Sequence, residues 1–299
     1  MELWVNSAVC YPLPWDRGNT DVPGAELLNK GSARRMPTQM RRSVCCALQA
    51  LANAGTTKPD GIFMGTGLGQ VDDTIGFLDE IEANAGGILS PTGFMRSTHN
   101  TVGGTIALLL TADGPNITYS HGLGSFPWAL LNATLQAEEH HAHNLLVGAA
   151  DEHAPLLDAL RGEANLGDRA ALSAGAAFIT ASTTRGANAL GRITGLWPAL
   201  RSTGHQWWKE EELADRQPDV VLFGADPFTN ALPVLSPNSR SLDYRSFTGT
   251  HGSTPGQALC MALHMLNSGW SPDGKESVVT RVLIVDQHGD ETSAILVER

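Results

Sequence analysis

Cysteine is scarce and unpatterned in this sequence, which excludes the simplest ways of stapling or arming a chain. The 299 residues hold four cysteines, Cys10, Cys45, Cys46 and Cys260. None stands in a CxxC pair, and Cys45 and Cys46 adjoin within an apolar helical pattern, so a disulfide framework is not expected. Reduced thiols, and with them a cytoplasmic location, are the expectation. Long apolar runs are missing too: no stretch reaches the length of about 20 residues that crosses a bilayer. The opening MELWVNSAVCYPLPW has no basic segment ahead of an apolar one, so neither export nor membrane insertion is expected. Positive charge is in the minority, with 20 Lys and Arg against 31 Asp and Glu and a formal net charge of −11. That balance disfavours a nonspecific grip on nucleic acid. One basic cluster runs against it, Arg34, Arg35, Arg41 and Arg42, readable as the solvated start of a helix or as a docking patch for an acidic partner.

What is present is enough apolar residue, 42% against 17% charged, for a large core. Periodicity predicts a strand over Glu2–Val9 and a helix over Thr38–Ala54 with Met40, Val44, Leu48 and Leu51 on one face. A strand at Asp60–Met64, a helix at Asp72–Ala85 and a helix at Ser97–Thr111 follow. Next come strands at Asn116–Ser120, Leu145–Ala149 and Leu172–Thr180, with a helix running from Phe126 to His141 between the first two. A polar connection, Thr183–Gly191, leads to a second series: a strand at Arg192–Trp197, a helix around Gln206–Ala214, a strand at Val220–Phe223, a helix at Thr254–Asn267, and paired strands at Val278–Asp286 and Ser293–Val297. The order reads as an α/β fold of two similar halves, residues 1–185 and a shorter 186–299, forming one compact unit.

The most informative stretch is GPNITYSHGLGSFPWALL, from Gly114 to Leu131. A short strand entering a glycine turn and then a helix is how many folds present a nucleophile at a helix N-terminus, where the dipole favours an anion. Gly122 and Gly124 supply the turn. Its tip is Leu123, which has nothing to attack with.

Other chemical signals are weaker. GTGLGQ, from Gly65 to Gln70, lacks the full GxGxxG spacing and reads as a turn, so no nucleotide cofactor is expected. EEHHAH offers His140, His141 and His143 near His153 without the spacing of a structural zinc site, so no metal is expected. A serine hydrolase would need Ser120 or Ser125 to work with His121, but there is no GxSxG, and neighbouring strand residues face opposite ways.

GPNITYSHGLGS resembles, without a gap, the Gly-Pro-Ser-Ile stretch that leads to the active-site cysteine of β-ketoacyl synthases, members of the thiolase superfamily. Counting from Gly114 and Pro115, the cysteine falls on Leu123. SPTGFMRSTHNTVGG is similar to the family's Ser-Pro segment and Asn-bearing helix, here Ser90, Pro91, Asn100 and Gly103, and LLVGAADE, Leu145–Glu152, is similar to the strand and turn after the nucleophile helix. The motifs SPTxF, SxHN and TYxHxxxSF more closely resemble cysteine-free ketosynthase-like proteins of aryl polyene type pathways, where such a subunit acts as a chain length factor. The resemblance covers residues 1–185 well and the rest loosely.

That resemblance implies a thiolase-like fold, two βαβαβ halves layered α-β-α-β-α. It also implies two histidines and a lysine in the second half that polarise the thioester carbonyl and support decarboxylation. The first histidine aligns with Gly224 in PDVVLFGADPFTN and the lysine with Ser246, beside Arg245. The second aligns with His251 in YRSFTGTHGSTPGQAL, either retained for chemistry or kept for structure. Implied partners are a cysteine-containing β-ketoacyl synthase and an acyl carrier protein, with Thr101, Thr105, Leu108, Phe126 and Trp128 as candidate tunnel or interface residues. Two alternatives stay open: a divergent acyltransferase or condensing enzyme working alone through His121, Ser125 or His251, and a homodimeric acyl-binding scaffold.

Overall fold

Alternation in the first residues builds strand β1, Leu3–Tyr11, with Leu3, Val5 and Val9 turned into the core. The computed structural model describes residues 2–16, 18–140, 143–163, 172–201, 216–224, 239–275, 278–288 and 291–299. Helix α1 (Thr38–Asn53) buries Met40, Val44, Ala47 and Leu51 on one stripe. Strand β2 (Gly61–Thr66) is buried along its whole length and helix α2 is Val71–Ala83.

The helix expected over Ser97–Thr111 is α4 (Thr101–Leu110), and a separate helix that was not expected, α3 (Pro91–Ser97), precedes it. Ser90 and Pro91 start α3: the Gly93 amide donates to Ser90 Oγ at 3.1 Å, and proline is at home in a first turn. Thr98 is extended, and the hydroxyls of Thr98 and Thr101 both donate to the Met95 carbonyl at 2.9 Å, closing the corner.

Strand β3 (Asn116–Ser120), helix α5 (Ser125–His140) and strand β4 (Leu145–Asp151) follow, then helix α6 (Pro155–Glu163), which the sequence did not suggest, and β5 (Gly175–Ser182). The second series is β6 (Gly191–Arg201), β7 (Val220–Gly224), an unexpected short β8 (Arg240–Asp243), helix α7 (Thr254–Ser268), and the pair β9 (Arg281–His288) and β10 (Glu291–Glu298). Strand β9 begins later than predicted. Asp219 Oδ2 accepts from the amides of Thr280 and Arg281, at 2.7 and 3.0 Å, and holds the approach as a turn. The helix expected around Gln206–Ala214 lies outside the described residues.

The ten strands hydrogen-bond in one order, β3-β2-β4-β5-β1-β6-β10-β9-β7-β8. Counted outward from the central β1·β6 pair, each half has its own first, fifth, fourth, second and third strand in the same sequence. In each half the fifth strand is antiparallel to both neighbours, and the other ladders are parallel. The chain is thus a structural duplication with no detectable sequence repeat. The halves meet where Leu3–Val5 pairs antiparallel with Gly191–Ile193.

Helices α1 and α4 cover the outer face of the first half, packing Val44, Leu51 and Ile106 on Ile62, Leu146 and Phe178. Helices α5 and α7 lie between the halves, where Phe126, Leu130, Leu259 and Ala262 share a core with Val5, Ile179, Val282 and Ile295. Among the described residues the layers therefore run helix, sheet, helix, sheet. No described helix is long and apolar enough to cross a membrane.

Candidate functional site

Strand β3 ends at Ser120, and the chain reverses through a single 3-10 turn, Gly122–Gly124, into α5. Gly122 has φ +53°, a conformation that a residue with Cβ adopts at a cost. Ser125 locks the turn: its buried hydroxyl accepts from the His121 amide at 2.7 Å and lies 2.7 Å from the Gly122 carbonyl and 2.8 Å from that of Thr66. With its one proton held between carbonyls, Ser125 is a bracket rather than a nucleophile. The start of α5 presses so closely on β2 that a Cβ on Gly65 would stand 2.6 Å from the Phe126 amide nitrogen. All the backbone machinery that aims a helix N-terminus at a reacting atom is present. Leu123, partly buried at the tip where the turn packs on the ends of β9 and β10, offers neither proton nor lone pair.

Asp151, at the end of β4, is the hub behind this turn. Its Oδ1 accepts from the amides of Gly67 and Leu68, at 2.8 and 2.9 Å, with Thr66 Oγ1 3.0 Å away, while Oδ2 accepts from Ser253 Oγ. The amides of GTGLG that could cradle a phosphate are spent on the protein's own carboxylate, so the loop is the turn that its spacing suggested. The bond to Ser253 ties the halves together, and Gly67 and Gly252 touch backbone to backbone. Asp151→Ala would leave the Gly67 and Leu68 amides and the buried Ser253 hydroxyl without their acceptor. We expect a loss of about 3 kcal/mol in unfolding free energy, measurable by urea titration, with the fold retained.

His251 stands just beyond Gly249 and Thr250 and is buried. Its Nδ1 accepts from the Ser253 amide at 3.3 Å, and its Nε2 lies 2.9 Å from Gln257 Oε1. Gln257 donates its amide to the carbonyls of Tyr11 and Pro12, at 3.3 and 3.2 Å, which orients Oε1 as the acceptor. The imidazole is therefore the neutral Nε2–H tautomer with both nitrogens in use. Burial lowers its pKa below the ordinary histidine value, against the pull of the Asp151 carboxylate.

Gly224 ends β7 opposite Asp286 of β9. A Cβ there would collide with Asp286 Oδ1 and the Tyr244 hydroxyl. Those two groups are hydrogen-bonded to one another, Tyr244 donating, and both are buried. Burial pushes the Asp286 carboxyl up to about 7, with the Tyr244 bond and the Arg245 charge pulling the other way. Tyr244 is itself raised well above the ordinary phenol value, first by burial and then by Asp286. A tyrosine and an aspartate thus fill the volume into which a side chain at position 224 would grow. Ser246 sits exposed on the one-turn helix Arg245–Thr248 and donates to the Asp243 carbonyl at 2.7 Å.

The surface expected from Thr101, Thr105, Leu108, Phe126 and Trp128 divides. Leu108 is 85% exposed on α4, and Thr101 and Thr105 are partly buried, each donating its hydroxyl to a backbone carbonyl. Trp128 is partly buried on α5. Phe126 belongs to the core at 1% exposure, because the close approach at Gly65 and the proximity of Gly256 leave its ring between α5 and α7. Among the described residues strand β3 is an edge strand, bonded to β2 on one side only, and exposes Ile117; Leu108 on α4 and Phe94 and Met95 on α3 are exposed as well. Arg34, Arg35 and Arg41 are exposed, while Arg42 lies over the Tyr11 ring at 5.0 Å. His143 donates its amide to Asp60 and His153 lies 2.9 Å from Asp158; the His140 side chain and His141 fall outside the described residues. Asp151, Gln257 and the Tyr244–Asp286 pair were not anticipated. A lone Asp, Gln or Tyr has no spacing that announces it, and only the meeting of the halves gives these residues their roles.

A duplicated sheet whose edge strand β3 runs through a glycine turn into a helix lying between the halves defines a protein of the thiolase-like, ketosynthase type. The family described as "β-ketoacyl synthase, N-terminal domain" matches residues 11–181, and the chain belongs to that family. Solved structures share the fold over nearly the whole length. A type II polyketide acyl carrier protein in complex with its ketosynthase, AntDE:AntF, matches with a TM-score of 0.75 and 14% identity, covering 99% of each chain. The ishigamide ketosynthase/chain length factor gives 0.70 and 13%, covering 99% of this chain and 98% of the other. The ketosynthase ApeO with its chain length factor ApeC, from Xenorhabdus doucetiae, gives 0.71 and 9%, covering 99% and 97%. No curated protein sequence matches the chain.

Proposed function

We propose that this protein is a non-catalytic ketosynthase-like subunit, a chain length factor that pairs with a cysteine-bearing β-ketoacyl synthase during polyene or fatty acid type elongation on an acyl carrier protein. The observation that carries the proposal is Leu123, an inert side chain at the tip of an otherwise complete nucleophile turn. The two nearest substitutes are engaged elsewhere, Ser125 as a bracket and His251 with both nitrogens bonded. Gly224 and Ser246 supply neither of the remaining groups that the family uses.

Space argues the same way. The cavity of about 10 Å³ on the outer side of β2 and β3, lined by Met64, Val102 and Thr118, is too small for any acyl chain. A cavity of about 810 Å³ opens at the far end of α7, around Met265, Trp270 and Lys275. None of the turn residues lines it. The elongating chain would then sit mainly in the partner, with this subunit closing the tunnel. Edge strand β3 and the apolar group Leu108, Ile117, Phe94 and Met95 suit a large subunit interface. The relatives described as ketosynthase and chain length factor pairs favour that assembly. The exposed Arg34, Arg35 and Arg41 suit the acidic surface expected of a carrier protein.

Co-expression with a neighbouring cysteine-bearing ketosynthase tests this. The two should co-elute, and Leu108→Asp should fold normally yet weaken the pair by at least about 30-fold, the cost of placing a charge in an apolar interface. Separate elution, with the ketosynthase elongating chains equally well alone, would refute the proposal. Acyl transfer by this chain alone, abolished by His251→Ala, would favour an independent enzyme, and a stable homodimer that retains acyl ligands would favour a scaffold.

A further inference from the structure

Gln70 opens helix α2 as its N-cap residue, but its side chain makes no capping bond, and it is 1% exposed. Neither Oε1 nor Nε2 has a hydrogen-bond partner among the described residues, and the same holds for Thr118 Oγ1 on β3. A primary amide brings two donors and an acceptor oxygen, and burying all of them unpaired is strongly unfavourable. The other hydroxyls lining this space are committed: Thr66 Oγ1 donates to the Ala150 carbonyl at 2.8 Å and accepts from the Gly69 amide at 2.8 Å, and Thr101 Oγ1 donates to the Met95 carbonyl at 2.9 Å.

Gln70 and Thr118 line one small cavity, together with Met64, Gly69, His99 and Thr101. Its volume, about 10 Å³ as space for the centre of a water-sized sphere, admits a single water and nothing larger. A polar site of that size with two or more partners is where proteins keep internal water. Its far wall limits alternatives: a Cβ on Gly103 would come within 3.6 Å of Thr118 Oγ1 and 2.8 Å of Asn116 Oδ1, so this side is already closely packed.

We infer that the cavity is the binding site of one ordered water, bonded to the Gln70 amide and to Thr118 Oγ1. The water ties the first turn of α2 to β3, the strand that forms the exposed edge of the sheet. It thereby fixes the edge strand without spending the strand's own free backbone groups. The site stands apart from the proposed pairing function and does not depend on it.

The test uses the full chain. A crystal structure that resolves solvent should show one water within hydrogen-bond distance of Gln70 and Thr118. Water-selective NMR should give a cross-peak from the Gln70 side-chain amide to a slowly exchanging water, lost in Thr118→Val. Thr118→Val and Gln70→Met should each lower the thermal midpoint by about 2–4 °C, and the double variant by no more than the larger single shift. A direct Gln70–Thr118 hydrogen bond with no density between them, a side chain of a second copy or partner in the cavity, or fully additive shifts would overturn the assignment. Should Gln70→Met fail to fold, the cross-peak and its loss in Thr118→Val decide the question alone.

Discussion

Gly224→His is expected to yield no soluble folded protein, although it installs the residue that the β-ketoacyl synthase resemblance aligns there. The first atom of any side chain at 224 would run into Asp286 Oδ1 and the Tyr244 ring and hydroxyl. Neither neighbour can retreat. Both are buried, Tyr244 without measurable exposure, and they are bonded to one another at the ends of parallel strands. Overpacking a fully enclosed site and breaking a buried polar pair should together cost about 5 kcal/mol or more, comparable with the whole stability of many domains. Soluble yield and circular dichroism check it. A well-folded Gly224→His would mean that the tyrosine and aspartate do not hold the space. The expectation bears on function as well, since a site filled by its own residues cannot regain chemistry by one substitution.

The second large effect is a dependence of stability on pH centred on Asp286. Its folded carboxyl sits at about 7, above the about 3.9 of an unfolded aspartate. The folded chain therefore holds this proton more tightly. The stability linked to it is fully present below about pH 4 and is lost as pH rises through about 7, a total on the order of 4 kcal/mol. Asp286→Asn keeps a neutral side chain of the same shape at every pH. It should match the parent near pH 4 and exceed it progressively up to about pH 8 in denaturant titrations. His251 works in the opposite sense, because its lowered pKa gives stability present above the unfolded histidine value of about 6.5 and lost as pH falls below it. The difference between variant and parent cancels that contribution. A difference that does not change with pH would show that Asp286 is already ionised in the folded state.

The first half of the fold was legible because its elements carry their own signals. Strand β3 was predicted with the boundaries it has, set off by Gly114–Pro115 before it and a glycine turn after it. Helix α1 followed from its apolar stripe of Met40, Val44, Leu48 and Leu51. Helix α6 and strand β8 were missed because both are short, nine and four residues, and the helix buries none of its own. Helix α3 went unseen as an element of its own, and two threonine hydroxyls, rather than a proline or glycine, close the corner between it and α4.

The site was legible at one point, the tip of the turn, where composition alone distinguishes leucine from a nucleophile. The roles around it were not. Asp151 acts through Ser253, about a hundred residues on in sequence, and His251 is held by a glutamine that is in turn held by the carbonyls of β1 and its following proline. Phe126 illustrates the same limit: its place in the core depends on the absence of a Cβ at Gly65, on a different strand.

The order of strands has a consequence for how many copies can join. A sheet with two open ends can grow without limit if both ends accept a neighbour, as in fibrils. Here the ends are unlike. Strand β3 presents Ile117 beside an apolar helix face, whereas β8 carries Arg240, bridged to Asp273 at 3.2 Å, and Asp243 beside Arg245. Ion pairs of this sort discourage strand addition. Under the proposed pairing, growth would be open at the β3 end and discouraged at the β8 end, so that assembly through β3 would stop at two subunits instead of propagating.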